Sequence, residues 1–119
     1  MTQSLEDYLE MVSFLADEGQ VRVTDIAARL GFSKPSVLSA LKILEERGLV
    51  THERYSTVSL TGQGAELALT IRERHNLIKD FLNKTLGVSA DIAEKDACKM
   101  EHILSEETLQ KMRQSLKTK

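Results

Sequence analysis

Cys98, Glu101 and His102 fall within the stretch DACKMEH, residues 96–102, and Cys98 is the single cysteine of the chain. On a helix, offsets of three and four residues share one face, so a thiol, a carboxylate and an imidazole would converge on one small object, most simply a metal ion. The bland alternative makes Cys98 a small buried hydrophobe and leaves Glu101 and His102 as ordinary residues near a helix end. A catalytic alternative makes Cys98 a nucleophile with His102 or His75 as its base. No Gly-rich phosphate loop, oxyanion-hole signature or pocket motif accompanies it, so we expect no enzymatic activity.

The rest of the chain has to choose. Its 119 residues, 41% hydrophobic and 29% charged, fit one domain or two very small ones and lie outside the disordered class. One cysteine cannot form an intramolecular disulfide, and MTQSLEDYLEMV carries acids where a secretory signal carries basic residues. No segment approaches the roughly 18 continuous apolar residues of a membrane span. A cytoplasmic chain without membrane contact is the expectation. Residues 1–60 hold six Lys or Arg against nine Asp or Glu and residues 61–119 hold ten against nine, for a net charge of −2. Any attraction to nucleic acid must therefore come from local cations.

The elements that would position such residues can be read in order. Ser4 and Asp7 form an S-x-x-D capping box ahead of Leu5, Tyr8, Leu9, Val12 and Leu15, which repeat at helical spacing up to Gly19. After VRV, Thr24 caps a second helix that stops at Gly31. Ser33 caps a third, with Pro35 in its first turn and Gly48 at its exit. Helix, glycine-containing turn, helix is helix-turn-helix spacing. In the third helix Val37, Leu41 and Leu44 form the buried stripe, so Ser36, Ser39 and Ala40 face outward. The runs LVTHE and TVSLT around RYS read as a β-hairpin, which beside a helix-turn-helix is a wing. From Gly62 an unbroken helical pattern runs to Gly87; Ser89 caps the helix carrying DACKMEH, and Ser105 opens the last one.

Small hydroxyls and a lysine on the outer face of the third helix suit entry into a major groove. Ser33 and Lys34 at its start, Lys42 farther along, and Arg54 and Tyr55 at the wing tip could reach the phosphates of one duplex. The expected DNA-contacting set is Ser33, Lys34, Pro35, Ser36, Ser39, Lys42, Arg54 and Tyr55. The bland reading of this face is plain solvation. A winged-helix regulator answering an organic ligand, or oxidation of Cys98, is the nearer functional alternative.

The stretches SLEDYLE, VTDIAARLGFSKPSVLSALKILEERGLV, VSLTGQG, RERHNLIKDFL and DACKMEHILS together resemble the iron-dependent repressors of the diphtheria toxin repressor type, including the manganese transport regulators. The resemblance covers essentially the whole chain. It implies a mainly α fold: an N-terminal winged helix-turn-helix of three helices plus a β-hairpin wing over residues 1–62, then an α-helical metal-binding and dimerisation domain over 63–119, without an SH3-like C-terminal domain. It also implies a metal-dependent transcriptional repressor of metal-uptake genes, a homodimer that binds double-stranded operator DNA when a divalent ion occupies sites between its domains. Carried over residue by residue, the metal positions fall on Asp7, Glu10, His75, Cys98, Glu101 and His102. Against this, Asp7 could be only the capping-box acid, Glu10 a solvated helix residue and His75 a surface residue.

The ligand set mixes two types. Manganese-type members carry aspartate at the Asp7 position and glutamate at the Cys98 position, whereas iron-type members usually carry methionine and cysteine. Carboxylates suit Mn²⁺ or Fe²⁺, while a thiolate raises affinity for Zn²⁺ or Co²⁺. Iron-type members also place an ancillary glutamate four residues after the histidine, where this chain has Lys79; Glu94 is a candidate replacement. The end at Lys119, with no SH3-like domain, points towards the manganese type.

Overall fold

Helix α1 (Gln3–Glu18) begins earlier than the sequence pattern suggests, because Thr2 rather than Ser4 caps it: the Thr2 hydroxyl accepts from the Leu5 N–H at 3.2 Å. The fold is that of a computed structural model describing residues 1–53 and 57–118. Helix α2 (Val23–Leu30) also starts ahead of expectation. Its cap is Arg22, whose N–H donates to the Asp25 carboxylate at 3.1 Å, and Thr24 lies inside the first turn. A carboxylate three residues into a helix answers an orphan donor as well as a cap hydroxyl does, and adds its charge at the positive end of the helix dipole.

Gly31 ends α2 at φ +72°, a left-handed conformation suited to glycine, and its N–H donates to Ala27 O at 2.9 Å. Helix α3 (Lys34–Glu46) follows at once, capped by Ser33, with Pro35 in the first turn as expected. Val37, Leu41 and Leu44 are buried, but so is Ala40, which corrects its outward placement. Ala40 stands three residues after Val37 and four before Leu44, so it shares their face, and its single methyl leaves room for close packing.

Strands β1 (Val50–His52) and β2 (Val58–Leu60) pair antiparallel, Val50 opposite Leu60 and His52 opposite Val58. Both are shorter than the apolar runs that announced them. Val21, in the extended piece before α2, bridges to Val58, whose N–H donates to Val21 O at 2.8 Å. Arg54 and Tyr55, assigned to the wing tip, lie outside the described residues.

Helix α4 (Gly62–Asp80) is latched to this hairpin at its start. The Thr61 hydroxyl donates to Gly48 O at 2.7 Å and accepts from the Gly64 N–H at 3.0 Å, and a Cβ on Gly64 would overlap the Leu49 carbonyl. Past Asp80 the helix widens into a π turn, Phe81–Thr85, where the Leu86 N–H reaches back to Phe81 O and Asn83 Nδ2 closes the loop on Val88 O at 2.8 Å. Helices α5 (Ala90–Met100) and α6 (Glu106–Lys117) complete the chain. Ser89 precedes α5 as expected but makes no side-chain cap bond, whereas Ser105 accepts from the Thr108 N–H.

The chain divides into two units, Met1–Leu69 and Thr70–Lys119, with the boundary inside α4. The first has its own core of Leu9, Val12, Ile26, Val37, Leu41 and Leu44, and the Tyr8 and Phe32 rings meet with centroids 5.8 Å apart. The second is built on Ile78, Leu82, Ala93, Ala97, Leu109 and Met112. Each unit thus has an apolar centre that can hold functional side chains at its surface.

Candidate metal centre and nucleic-acid interface

In the second unit the polar residues converge on His75. Helix α4 carries His75 and, one turn on, Lys79; α5 carries Glu94 and, one turn on, Cys98. His75 Nε2 lies 3.0 Å from Glu94 Oε2, and its Nδ1 lies 3.0 Å from Glu101 Oε2. His102 Nε2 lies 3.3 Å from the other oxygen of Glu101, and Arg74 Nη1 donates to the Glu101 main-chain oxygen at 3.2 Å. Ligand atoms of His75, Glu94 and Cys98 all lie within 4.8 Å of one another.

The opening triplet is not one helical face. Helix α5 ends at Met100; Glu101 is its last, capping residue, and His102 belongs to the turn that leads into α6. The Leu104 N–H closes that turn on Met100 O at 3.1 Å, which frees the chain to redirect before Ser105 caps the next helix. As a result Cys98 joins Glu94, while Glu101 sits against both imidazoles. Cys98 is exposed, not the buried hydrophobe of the bland reading.

Burial and charge set the electrostatics. The Glu101 side chain is 1% exposed, and a carboxylate so desolvated needs cations or donors around it. Glu94, 47% exposed, has its carboxyl held below the usual carboxylate range, first by the hydrogen bond with His75 and then by Lys79 at 3.1 Å, against the opposing effect of burial. Nitrogen, oxygen and sulfur donors so arranged suit a first-row divalent ion.

In the first unit, α1 carries Asp7 and Glu10 three residues apart on one side of the helix. Asp7 is not the capping acid, since Thr2 holds that role, and Glu10 is buried along with Glu6 one turn before it. Glu6 was missing from the sequence reading; its signal is the four-residue spacing to Glu10. Glu94 had a similar signal, four residues before Cys98.

Ser33, Lys34, Pro35, Ser36, Ser39 and Lys42 are all exposed along α3. Ser33 Oγ donates to Ser36 Oγ at 3.0 Å, so these two hydroxyls form the cap as well as lining the face. Leu38 and Ile43 are exposed beside them, which the buried-stripe pattern did not identify. A groove next to Lys34 and Leu38 is lined also by Arg22, Thr24 and His52, placing further donors around the start of the helix.

The family model described as "Iron dependent repressor, N-terminal DNA binding domain" matches residues 1–58, and that described as "Iron dependent repressor, metal binding and dimerisation domain" matches residues 61–118. The chain is 46% identical over 110 residues to the "Transcriptional regulator MntR" of Escherichia coli O6:H1, covering 92% of this chain and 70% of that protein. It is 45% identical over 106 residues to the protein of that name from Salmonella typhimurium, covering 88% and 67%. A solved structure described as "Manganese-dependent transcriptional repressor complex with manganese" superposes with a TM-score of 0.83 at 30% identity, over 94% of this chain and 52% of that one. The chain thus spans about half the length of that solved chain.

Proposed function

Because the chain belongs to the iron dependent repressor family, we propose that it is a metal-dependent transcriptional repressor that binds operator DNA as a homodimer and controls metal-uptake genes. The observation that carries this reading is the convergence of two imidazoles, two carboxylates and a nearby thiol around His75, with one of the carboxylates fully buried. Such a donor set fits a divalent first-row ion, and we assign the ligands to Asp7, Glu10, His75, Cys98, Glu101 and His102. Oxygen-rich donors favour Mn²⁺ or Fe²⁺, with the thiolate leaving room for Zn²⁺ or Co²⁺. The relatives named for manganese support the first of these.

When bound, the ion supplies positive charge among these carboxylates. The chain's own residues do the rest. Asp7 and Glu10 belong to the helix that packs directly on α2 and α3, so restraining their carboxylates restrains the DNA-reading unit. Held so in a dimer, two α3 helices keep the separation of successive major grooves, about 34 Å. Ser33 and Lys34 meet phosphates at the α3 N-terminus, and Ser39 points at base edges. By linkage, DNA tightens metal binding by the factor by which metal tightens DNA binding. The wing tip, with Arg54 and Tyr55, adds phosphate contacts in this reading. Among the described residues no helix is long and apolar enough to cross a membrane, and a regulator of this kind works in the cytoplasm.

Titrating Mn²⁺ into metal-free protein while measuring affinity for DNA selected from a random pool tests the reading. Affinity rises with metal; if Mn²⁺, Fe²⁺, Zn²⁺ and Co²⁺ all leave it unchanged, the repressor assignment fails. Lys42→Ala weakens binding to all sequences and lowers the salt slope by about one unit, with metal affinity unchanged, as measured by binding isotherms at several salt concentrations. An unaltered slope would remove Lys42 from the phosphate contacts. Cys98→Glu shifts preference from Zn²⁺ and Co²⁺ towards Mn²⁺ by about tenfold, since it replaces the one soft donor with a hard one. Equal relative affinities in both proteins would take Cys98 out of the ion's shell.

A further inference from the structure

One large apolar side chain stands among the polar groups of the α3 face. Leu38 is 45% exposed, four residues after Lys34 and one before Ser39. It lines the groove shared with Arg22, Thr24, Lys34, His52 and Thr57. Arg22, Thr24 and Lys34 are exposed there, so donors suited to phosphate oxygens surround a side chain that can neither donate nor accept. A single exposed leucine is ordinary on a protein surface and by itself asks for no explanation. Its place is what counts. A recognition helix meets base edges with its N-terminal residues, and Leu38 lies in the second turn of α3. Ile43, also exposed, comes five residues later, which turns it about 140° from Leu38 round the helix and puts it past those residues.

The major-groove edges of the base pairs present hydrogen-bonding groups and one methyl, that of thymine. We propose that Leu38 is a specificity-determining residue that reads a thymine through its 5-methyl group, in the strand whose phosphates meet Lys34 and Arg22. This inference rests on the repressor reading above. Ser39 alone discriminates little, because a hydroxyl serves donors and acceptors alike. The aliphatic side chain beside it supplies a preference. Cytosine at the same place offers no methyl and brings an amino donor towards a side chain that cannot accept from it. Closing Leu38 over a methyl takes apolar surface out of water, worth about fourfold in affinity for one thymine and about fifteenfold for the two half-sites of a dimer.

The test uses the full chain saturated with Mn²⁺ and a DNA sequence selected from a random pool. Each thymine is replaced in turn by deoxyuridine, which pairs identically and lacks only the methyl. In wild type, one position in each half-site loses about fourfold on this change, and 5-methylcytosine placed there binds more tightly than cytosine by a similar factor. The ratio of thymine to deoxyuridine affinities stays constant with salt, unlike the phosphate contacts. Leu38→Ser brings that ratio to about one, and Leu38→Met, still apolar and of similar size, retains it. Because the ratio compares two DNAs on one protein, any change in folding cancels from it. Equal affinities for thymine and deoxyuridine at every position in wild type, as contact with deoxyribose would give, would overturn the proposal. So would a Leu38→Ser protein that keeps the wild-type ratio. If the chain selects no sequence with Mn²⁺, Fe²⁺, Zn²⁺ or Co²⁺, the repressor reading itself falls, and this inference with it.

Discussion

Replacing Asp7 and Glu10 together by alanine reduces the metal-dependent gain in operator affinity from a factor on the order of 100 to nearly one, while the chain stays folded. The reasoning is local. Both carboxylates sit on α1, the helix whose Leu9 and Val12 are fixed in the core with α2 and α3. Any metal effect that reaches α3 through α1 needs these two groups. His75, Cys98, Glu101 and His102 remain in the variant, so some metal affinity persists and the loss is specific to coupling. Removing Glu10 takes away a buried carboxylate, which offsets part of any loss of stability in the metal-free variant. The measurement is the ratio of DNA affinities with and without Mn²⁺, taken at one salt concentration for both proteins. If the variant retains the wild-type ratio, restraint through α1 is not how metal acts, and the effect must run through the dimer interface.

Gly64→Ala is expected to destabilise the first unit by about 3 kcal/mol, a shift in melting temperature of about 15 °C. The added methyl would meet the carbonyl of Leu49, and main chain against main chain cannot be relieved by a change of rotamer. That carbonyl is already engaged, accepting from the Thr61 N–H at 3.0 Å, so moving it costs a further bond. Gly62→Ala is the control: it lies two residues earlier in the same helix, and nothing stands within 4 Å of its Cβ position. There the higher helix propensity of alanine should leave stability unchanged or slightly raised. Thermal unfolding of the two variants side by side decides the matter. Equal melting temperatures would mean that α4 does not approach β1 as closely as described.

What could be read from the sequence was whatever periodicity and caps encode. The stripe Val37, Leu41 and Leu44, the Ser33 cap and the Ser105 cap all follow from local rules, and the helix-turn-helix follows from their spacing. Ser4 and Thr24 misled because a better cap stood two residues upstream of each, and hydroxyls are common enough to offer several candidates. The π turn had no signal, since Phe81–Thr85 contains neither proline nor glycine and its closure depends on Asn83 reaching Val88. At the site, residue types were legible and their grouping was not. Spacing alone put Cys98, Glu101 and His102 on one face, but the end of α5 at Met100 divides them. Glu94 and Lys79 were singled out in the sequence, but their pairing with each other and with His75 requires α4 and α5 side by side, a tertiary fact that no local pattern carries.

The bridge between Val21 and Val58 has a kinetic consequence. Two three-residue strands make a hairpin too small to persist alone in water. Its additional support comes from a residue 37 positions earlier in the chain, so closing the bridge requires the segment between α1 and α2 to be in place first. The wing should therefore form late and open early, as a small cooperative unit of lower stability than the helices beneath it. One amide reports on it. The Val58 N–H, bonded to Val21 O at 2.8 Å, is protected from hydrogen exchange when the hairpin is docked and becomes exposed when it lifts. Exchange at that single position therefore gives the equilibrium between a wing ready to meet a phosphate backbone and one that is not.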